Sequence, residues 1–179
     1  MSDEIDSEVL EINGTSVRVK YFHDGDREPP WEDDGHGPVR KTAKRHREYG
    51  DKRPGERPLN QPDRNEYQFY YDWQAAVKEA RKDGWNTEPY DAPNRVLRAV
   101  QSDFDFLRGY LSDQWHYVGI EVQLLDQDGE PVGDADSCWG FETWKDYHKE
   151  AARDMATMLV SSNHEDLRTM TGRQLELTL

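Results

Sequence analysis

The sequence predicts an α+β protein, with a small antiparallel sheet made of two β-hairpins packed with three helices and a long polar loop. Three observations carry this reading. Asn13-Gly14 and Asp128-Gly129 each separate two alternating apolar segments, which is the pattern of a hairpin turn. Apolar residues recur at helical spacing in three stretches after Asp72. Residues 23–65 show neither pattern and hold six prolines.

The elements follow in chain order. Residues 9–12 and 15–22 form the first hairpin, with Val17 and Val19 facing inward and Arg18 and Lys20 outward. The Pro/Gly-rich segment 23–65 is expected to lack regular structure and to be partly flexible. A short strand at 67–71 leads into a helix from Trp73 to about Lys82. Asp72 is its N-cap and Gly84 its stop. A second helix begins near Pro93, with Val96, Leu97, Val100, Phe104, Leu107 and Leu111 as its buried stripe. Strands at about 115–125 and 132–141 form the second hairpin. A third helix spans about 143–161, with Trp144, Tyr147, Ala151, Met155, Met158 and Leu159 inward. The alternating tail 174–179 would add an edge strand. As domains, this gives a hairpin at 1–22, a polar loop at 23–65 with a basic segment at 40–57, and an α+β core at 66–179, one domain overall.

Composition bounds the function. The chain is 34% apolar and 34% charged, with a net charge of −14. Residues 1–39 carry eleven acids against three bases, and 40–57 reverse this with eight bases against three acids. A chain this acidic is repelled by nucleic acid and by anionic membranes over most of its surface, so its expected partners are proteins with basic surfaces. Cys138 is the single cysteine, which fits a reducing compartment. The acidic N-terminal stretch lacks the pattern of a signal peptide, and no run reaches the length of a membrane span. A cytoplasmic protein is expected.

Several groups could carry chemistry. His23, Asp24, Asp26, Glu28, Glu32, Asp33, Asp34 and His36 are crowded together, but without the fixed spacing of metal ligands, so a solvated acidic loop is expected and no metal or cofactor. The run 126–130 opens like a calcium loop but lacks the distal glutamate, and a hairpin turn is the better reading. No catalytic motif is present, and Cys138 reads as a small core residue. The basic arm, with Arg40, Lys41, Lys44, Arg45 and Arg47, either contacts phosphates or folds back on the protein's own acids; the acidic balance favours the latter, or a protein partner. Glu142, Asp146, Glu150 and Asp154 recur every four residues. On a helix that is an advance of about 6 Å, similar to the step between phosphates along a strand. The bland alternative is a solvated face paired to Lys145, Lys149 and Arg153. Trp31 in a polar loop is a candidate interface anchor if exposed.

The strings WEDDGHGPV (31–39), DKRPGER (51–57), YYDWQAAVKEARKDGW (70–85) and WHYVGIEVQLLDQDGE (115–130) resemble a family of short proteins of tailed bacteriophages and prophages that has no settled activity. The resemblance covers roughly residues 29–160 and implies a phage protein made in the cytoplasm of a bacterial host. Small acidic proteins in that setting often inhibit host defence, anti-CRISPR and anti-restriction proteins among them.

The combined expectation is a non-enzymatic acidic inhibitor of a host nucleic-acid-handling complex. It would bind through Glu142, Asp146, Glu150 and Asp154, with Asp33, Asp34 and Trp31 as a second patch. The alternatives are a small enzyme or nucleotide binder built on the His36 loop and the basic arm, or a phage assembly component.

Overall fold

A computed structural model describes residues 3–42, 52–61, 67–85 and 94–176, with side chains to Asn163. It shows an α+β protein with three helices and two antiparallel sheets. The strands are Glu4–Ile12 (β1), Thr15–His23 (β2), Val39–Lys41 (β3), Glu56–Pro58 (β4), Phe69–Asp72 (β5), Tyr117–Leu125 (β6) and Pro131–Glu142 (β7). The helices are Trp73–Asp83 (α1), Arg95–Leu111 (α2) and Tyr147–Glu176 (α3), and short 3-10 turns occupy Pro30–Glu32 and Trp144–Asp146. The chain divides into two compact units. One is Met1–Arg27 together with His116–Leu179, and the other is Glu28–Trp115.

The first unit is a four-stranded sheet in the order β1-β2-β6-β7 with α3 on one face. Both expected hairpins are present, and Asn13 and Gly14 take the positive φ values, 52° and 81°, that a tight hairpin turn requires. Alternation puts Val17, Val19 and Tyr21 of β2 and Val118, Ile120 and Val122 of β6 on the buried face. There they meet Ala152, Ala156 and Val160 of α3. Small residues at four-residue spacing let the helix backbone approach the sheet closely.

The helix and the edge strand of this first unit differ in detail from the sequence reading. The helix α3 starts at Tyr147 rather than 143, because Lys145 and Asp146 hold left-handed φ values of 51° and 61° that interrupt any helix. Its buried face centres on 152, 156 and 160. Ala151, Met155 and Leu159 flank that face, but Tyr147 and Met158 are exposed. Residues 174–176 belong to this helix rather than to an edge strand, and 177–179 lie outside the described residues. Cys138 is exposed on β7 instead of sitting in the core, because β7 is an edge strand whose register slips twice against β6.

The second unit is a three-stranded sheet in the order β3-β5-β4, packed with α1 and α2. Here the reading of 23–65 as a loop without regular structure is corrected. Val39–Lys41 and Glu56–Pro58 are strands that pair on either side of β5. Proline is tolerated in β4 because that strand is an edge. The Asp72 carboxylate accepts the Ala75 N–H at 3.0 Å, and Gly84 ends α1 at φ 68°, as the cap and stop residues predict. The core joins Leu59, Tyr71, Ala76, Ala80, Val100, Phe104 and Leu107. Leu97, expected in the stripe of α2, is 44% exposed. Pro93, the expected start of that helix, lies outside the described residues.

Candidate functional site

The acidic row expected on one helix is not a helical row. Glu142 ends β7, Asp146 lies in the 3-10 turn with positive φ, and only Glu150 and Asp154 lie on α3. The four-residue spacing thus has a regular helical advance only between the last two members, Glu150 and Asp154. Asp146 is engaged by Lys149 at 3.4 Å. Glu150 and Asp154 are exposed.

Trp31, Asp33 and Asp34 belong to the turn that opens the second unit. Trp31 is half-buried, 5.1 Å from the Phe69 ring and edge-on to Tyr110 at 5.7 Å. It anchors the turn to its own unit. Asp33 and Asp34 are exposed beside it.

Two of the basic-arm residues are committed within the protein. Arg40 makes a two-pronged ion pair with Glu56, both contacts at 2.7 Å, and its guanidinium lies 4.9 Å from the Tyr70 ring. Glu56 is buried and also accepts the Arg53 N–H at 2.7 Å. The Arg40 hydrogen bond holds the Glu56 carboxyl below the usual carboxylate range, against the upward pull of burial. Lys41 stacks its ammonium on Tyr67 at 4.0 Å, and Arg57 lies 3.3 Å over Trp73. Lys44, Arg45 and Arg47 lie outside the described residues.

The Gly-His-Gly-Pro string meets a residue that sequence reading did not single out, Asp103 of α2. His36 Nδ1 is 2.6 Å from Asp103 Oδ1, while Oδ2 accepts the Gly37 N–H at 2.8 Å and the Tyr71 hydroxyl at 2.6 Å. The His36 ring stacks flat on Phe106, 5.3 Å away and 6° from parallel. Gly37 is required here, since a Cβ would sit 2.5 Å from the Tyr71 hydroxyl. Burial first, and then the Asp103 charge, push the Tyr71 phenol well above its ordinary range. Three donors converge on one carboxylate and fix the loop, and the imidazole is oriented by the same contact. Among the described residues, no three His, Cys, Asp or Glu side chains converge as metal ligands would. No helix among them is long and apolar enough to cross a membrane.

Charge divides unevenly between the two units. The first unit carries twenty acids against eight bases, a net −12, and the second seventeen against fifteen, a net −2. Within the first unit, the hairpin of β6 and β7 (117–142) holds Glu121, Asp126, Asp128, Glu130, Asp134, Asp136 and Glu142 and no Lys, Arg or His. Its turn is fixed by Asp126, whose carboxylate accepts the N–H groups of Asp128 and Glu130 at 2.9 Å, which is a turn geometry rather than a calcium loop. From Pro131 to Trp139 the strand β7 is exposed at every position. The absence of any cation across this hairpin is legible in the sequence as a simple count, although the spacing of acids on α3 draws attention elsewhere. Comparison with protein-family models, with curated proteins and with solved structures returns no match to this chain.

Proposed function

We propose that this is a non-enzymatic acidic binding protein that occupies the basic surface of a nucleic-acid-handling protein and thereby inhibits it. The observation that carries the reading is the β6–β7 hairpin, with seven carboxylates, no cation and an exposed edge strand. A surface with this excess of carboxylates has the charge character of a nucleic-acid backbone, and it attracts and orients a basic groove. The resemblance to tailed-phage proteins supplies the setting: a phage product in the cytoplasm of a bacterial host, acting against a defence complex. In this reading the acidic surface is β7 and its turn, and Glu150 and Asp154 of α3 belong to the same unit.

The enzyme or nucleotide-binder alternative is supported by one contact, the oriented His36–Asp103 pair. It loses the described part of the basic arm, since Arg40 and Lys41 are engaged by Glu56 and by aromatic rings.

The test is capture of partners from host lysate by the tagged protein and by its D134K/D136K variant. Nucleic-acid-binding proteins should be retained, and should be released by duplex DNA and by raising salt from about 50 to about 200 mM. The variant should lose them. Partners that persist on the variant, or that ignore both salt and DNA, would sink the reading.

A further inference from the structure

The face of the four-stranded sheet turned away from α3 carries Phe22, Gly119, Glu121 and Trp139. Gly119 lies between Val118 and Ile120, both buried against α3, so its missing side chain would point to the opposite face. A Cβ there would collide with the six-membered ring of Trp139. The indole therefore lies flat over the Gly119 backbone, with the Phe22 ring 6.1 Å away at 37°. Trp139 is nevertheless 47% exposed. One ring face rests on backbone and the other meets water.

Two chemistries stack on such a platform, a planar cation or a nucleobase, and the surrounding charge selects between them. Glu4 is the register partner of Phe22, and Glu121 follows Gly119 by two residues on the same face. Lys20 reaches Glu4 at 3.4 Å and Glu121 at 4.0 Å, and with Arg27 nearby the immediate group is balanced, so the net −12 of the whole unit decides. The hairpin that carries Gly119 and Trp139 holds further carboxylates besides Glu121 and no cation of its own. A phosphate chain is repelled here and a guanidinium is drawn in. The same face already holds one guanidinium of its own: Arg27 lies 5.6 Å over the ring of Tyr117, two residues before Gly119. Arginine suits the position better than lysine because it is planar and weakly hydrated.

We propose that Trp139, bedded on Gly119 and flanked by Phe22, is the anchor that receives an arginine from a basic segment of the partner protein. Glu4 and Glu121 lie on the same face, and the net negative charge of the unit draws the guanidinium in. The inference rests on the acidic-binding reading and names the point of contact.

The test is titration calorimetry of the full chain with a short oligo-arginine peptide, an oligo-lysine peptide of equal length, and oligothymidine. Oligo-arginine should bind more tightly than oligo-lysine, and W139A should weaken oligo-arginine binding about three- to tenfold. Circular dichroism checks the fold of the variant. The conservative W139F identifies the Trp139 indole N–H resonance, which should shift in the wild-type protein on adding oligo-arginine, so that the proposal is tested even if W139A misfolds. Equal affinity of W139A and wild type, no preference for arginine, no peptide binding, or Trp139-dependent binding of oligothymidine would each overturn the anchor. The two proposals fail separately. If D134K/D136K weakens both peptides while W139A changes nothing, the anchor falls and the acidic surface stands; the reverse result keeps the anchor and removes the acidic surface.

Discussion

The hydroxyl of Tyr71 donates to Oδ2 of Asp103 at 2.6 Å, tying the central strand of the smaller sheet to the middle of α2. The same carboxylate takes His36 and the Gly37 N–H, so one buried side chain on α2 organises both β5 and the loop before β3. Replacing it removes several charge-assisted bonds and strands their donors. D103A should lower stability by about 2–4 kcal/mol, and Y71F by about 1–2 kcal/mol, measured by urea denaturation. Two variants that unfold like wild type would show that the cluster contributes nothing to stability.

The Arg40–Glu56 pair gives a second expectation. Glu56 is buried and its carboxyl is held low chiefly by the Arg40 hydrogen bond, so the charged form stabilises the fold. A depressed carboxylate contributes stability above its unfolded value that is lost as pH falls through the folded one. E56Q should cost about 2–4 kcal/mol at neutral pH, and much less in acid where Glu56 itself is protonated. A loss that stays constant across that pH range would contradict the linkage.

His148 works in the opposite chemical sense but with the same sign. Burial first, and then Lys149 and His116, lower its proton affinity against the weaker upward pull of Asp146 and Glu8, and its ring lies edge-on to Tyr21 at 5.3 Å. Nδ1 finds no hydrogen-bond partner among the described residues. The unfolded chain then binds the proton more readily than the folded one. Stability present above the ordinary histidine range is lost as pH falls below it. Melting temperatures should drop between about pH 7.5 and 5.5, and less steeply in H148L. Identical slopes would show that His148 titrates equally in both states.

The exposed acids of β7 should separate binding from folding. Asp134 and Asp136 are solvent-exposed on an edge strand, so D134K/D136K should change stability by no more than about 0.5 kcal/mol per site. Removing like charge from a unit of net −12 could only relieve repulsion. A variant destabilised by several kcal/mol would mean that these carboxylates have a structural task.

The legible parts of the fold are those with local chemistry. Asn13-Gly14, the Asp72 cap and the Gly84 stop each force a backbone conformation within a few residues, and all three appear as read. The strands β3 and β4 were not legible because three residues cannot show a period, and their strand character is set by pairing with β5. The phase of α3 failed for a related reason. Lys145 and Asp146 adopt positive φ with no glycine to signal it, so the helix begins four residues later than expected, and its packing centres on the neighbouring row 152, 156 and 160. Cys138, inside a strand between Ser137 and Trp139, reads as a small core residue, whereas the edge position and slipped register of β7 leave it exposed. At the candidate site, His36 and Asp103 are 67 positions apart, so no motif could join them.

The order β1-β2-β6-β7 also carries a consequence for synthesis. β2 and β6 are hydrogen-bonded neighbours, yet the whole of Glu28–Trp115 is translated between them. The first hairpin must wait at the ribosome with its Val17 and Val19 face uncovered until β6 emerges. Closing so long a span as loose chain would be slow and entropically unfavourable. If the intervening unit folds first, the ends to be joined are no longer separated by free chain, and the central strand pair can form quickly. Mutations such as D103A would then delay maturation of a sheet in which Asp103 takes no part, and pulse-labelled chains would show late protection of β2 and β6 amides.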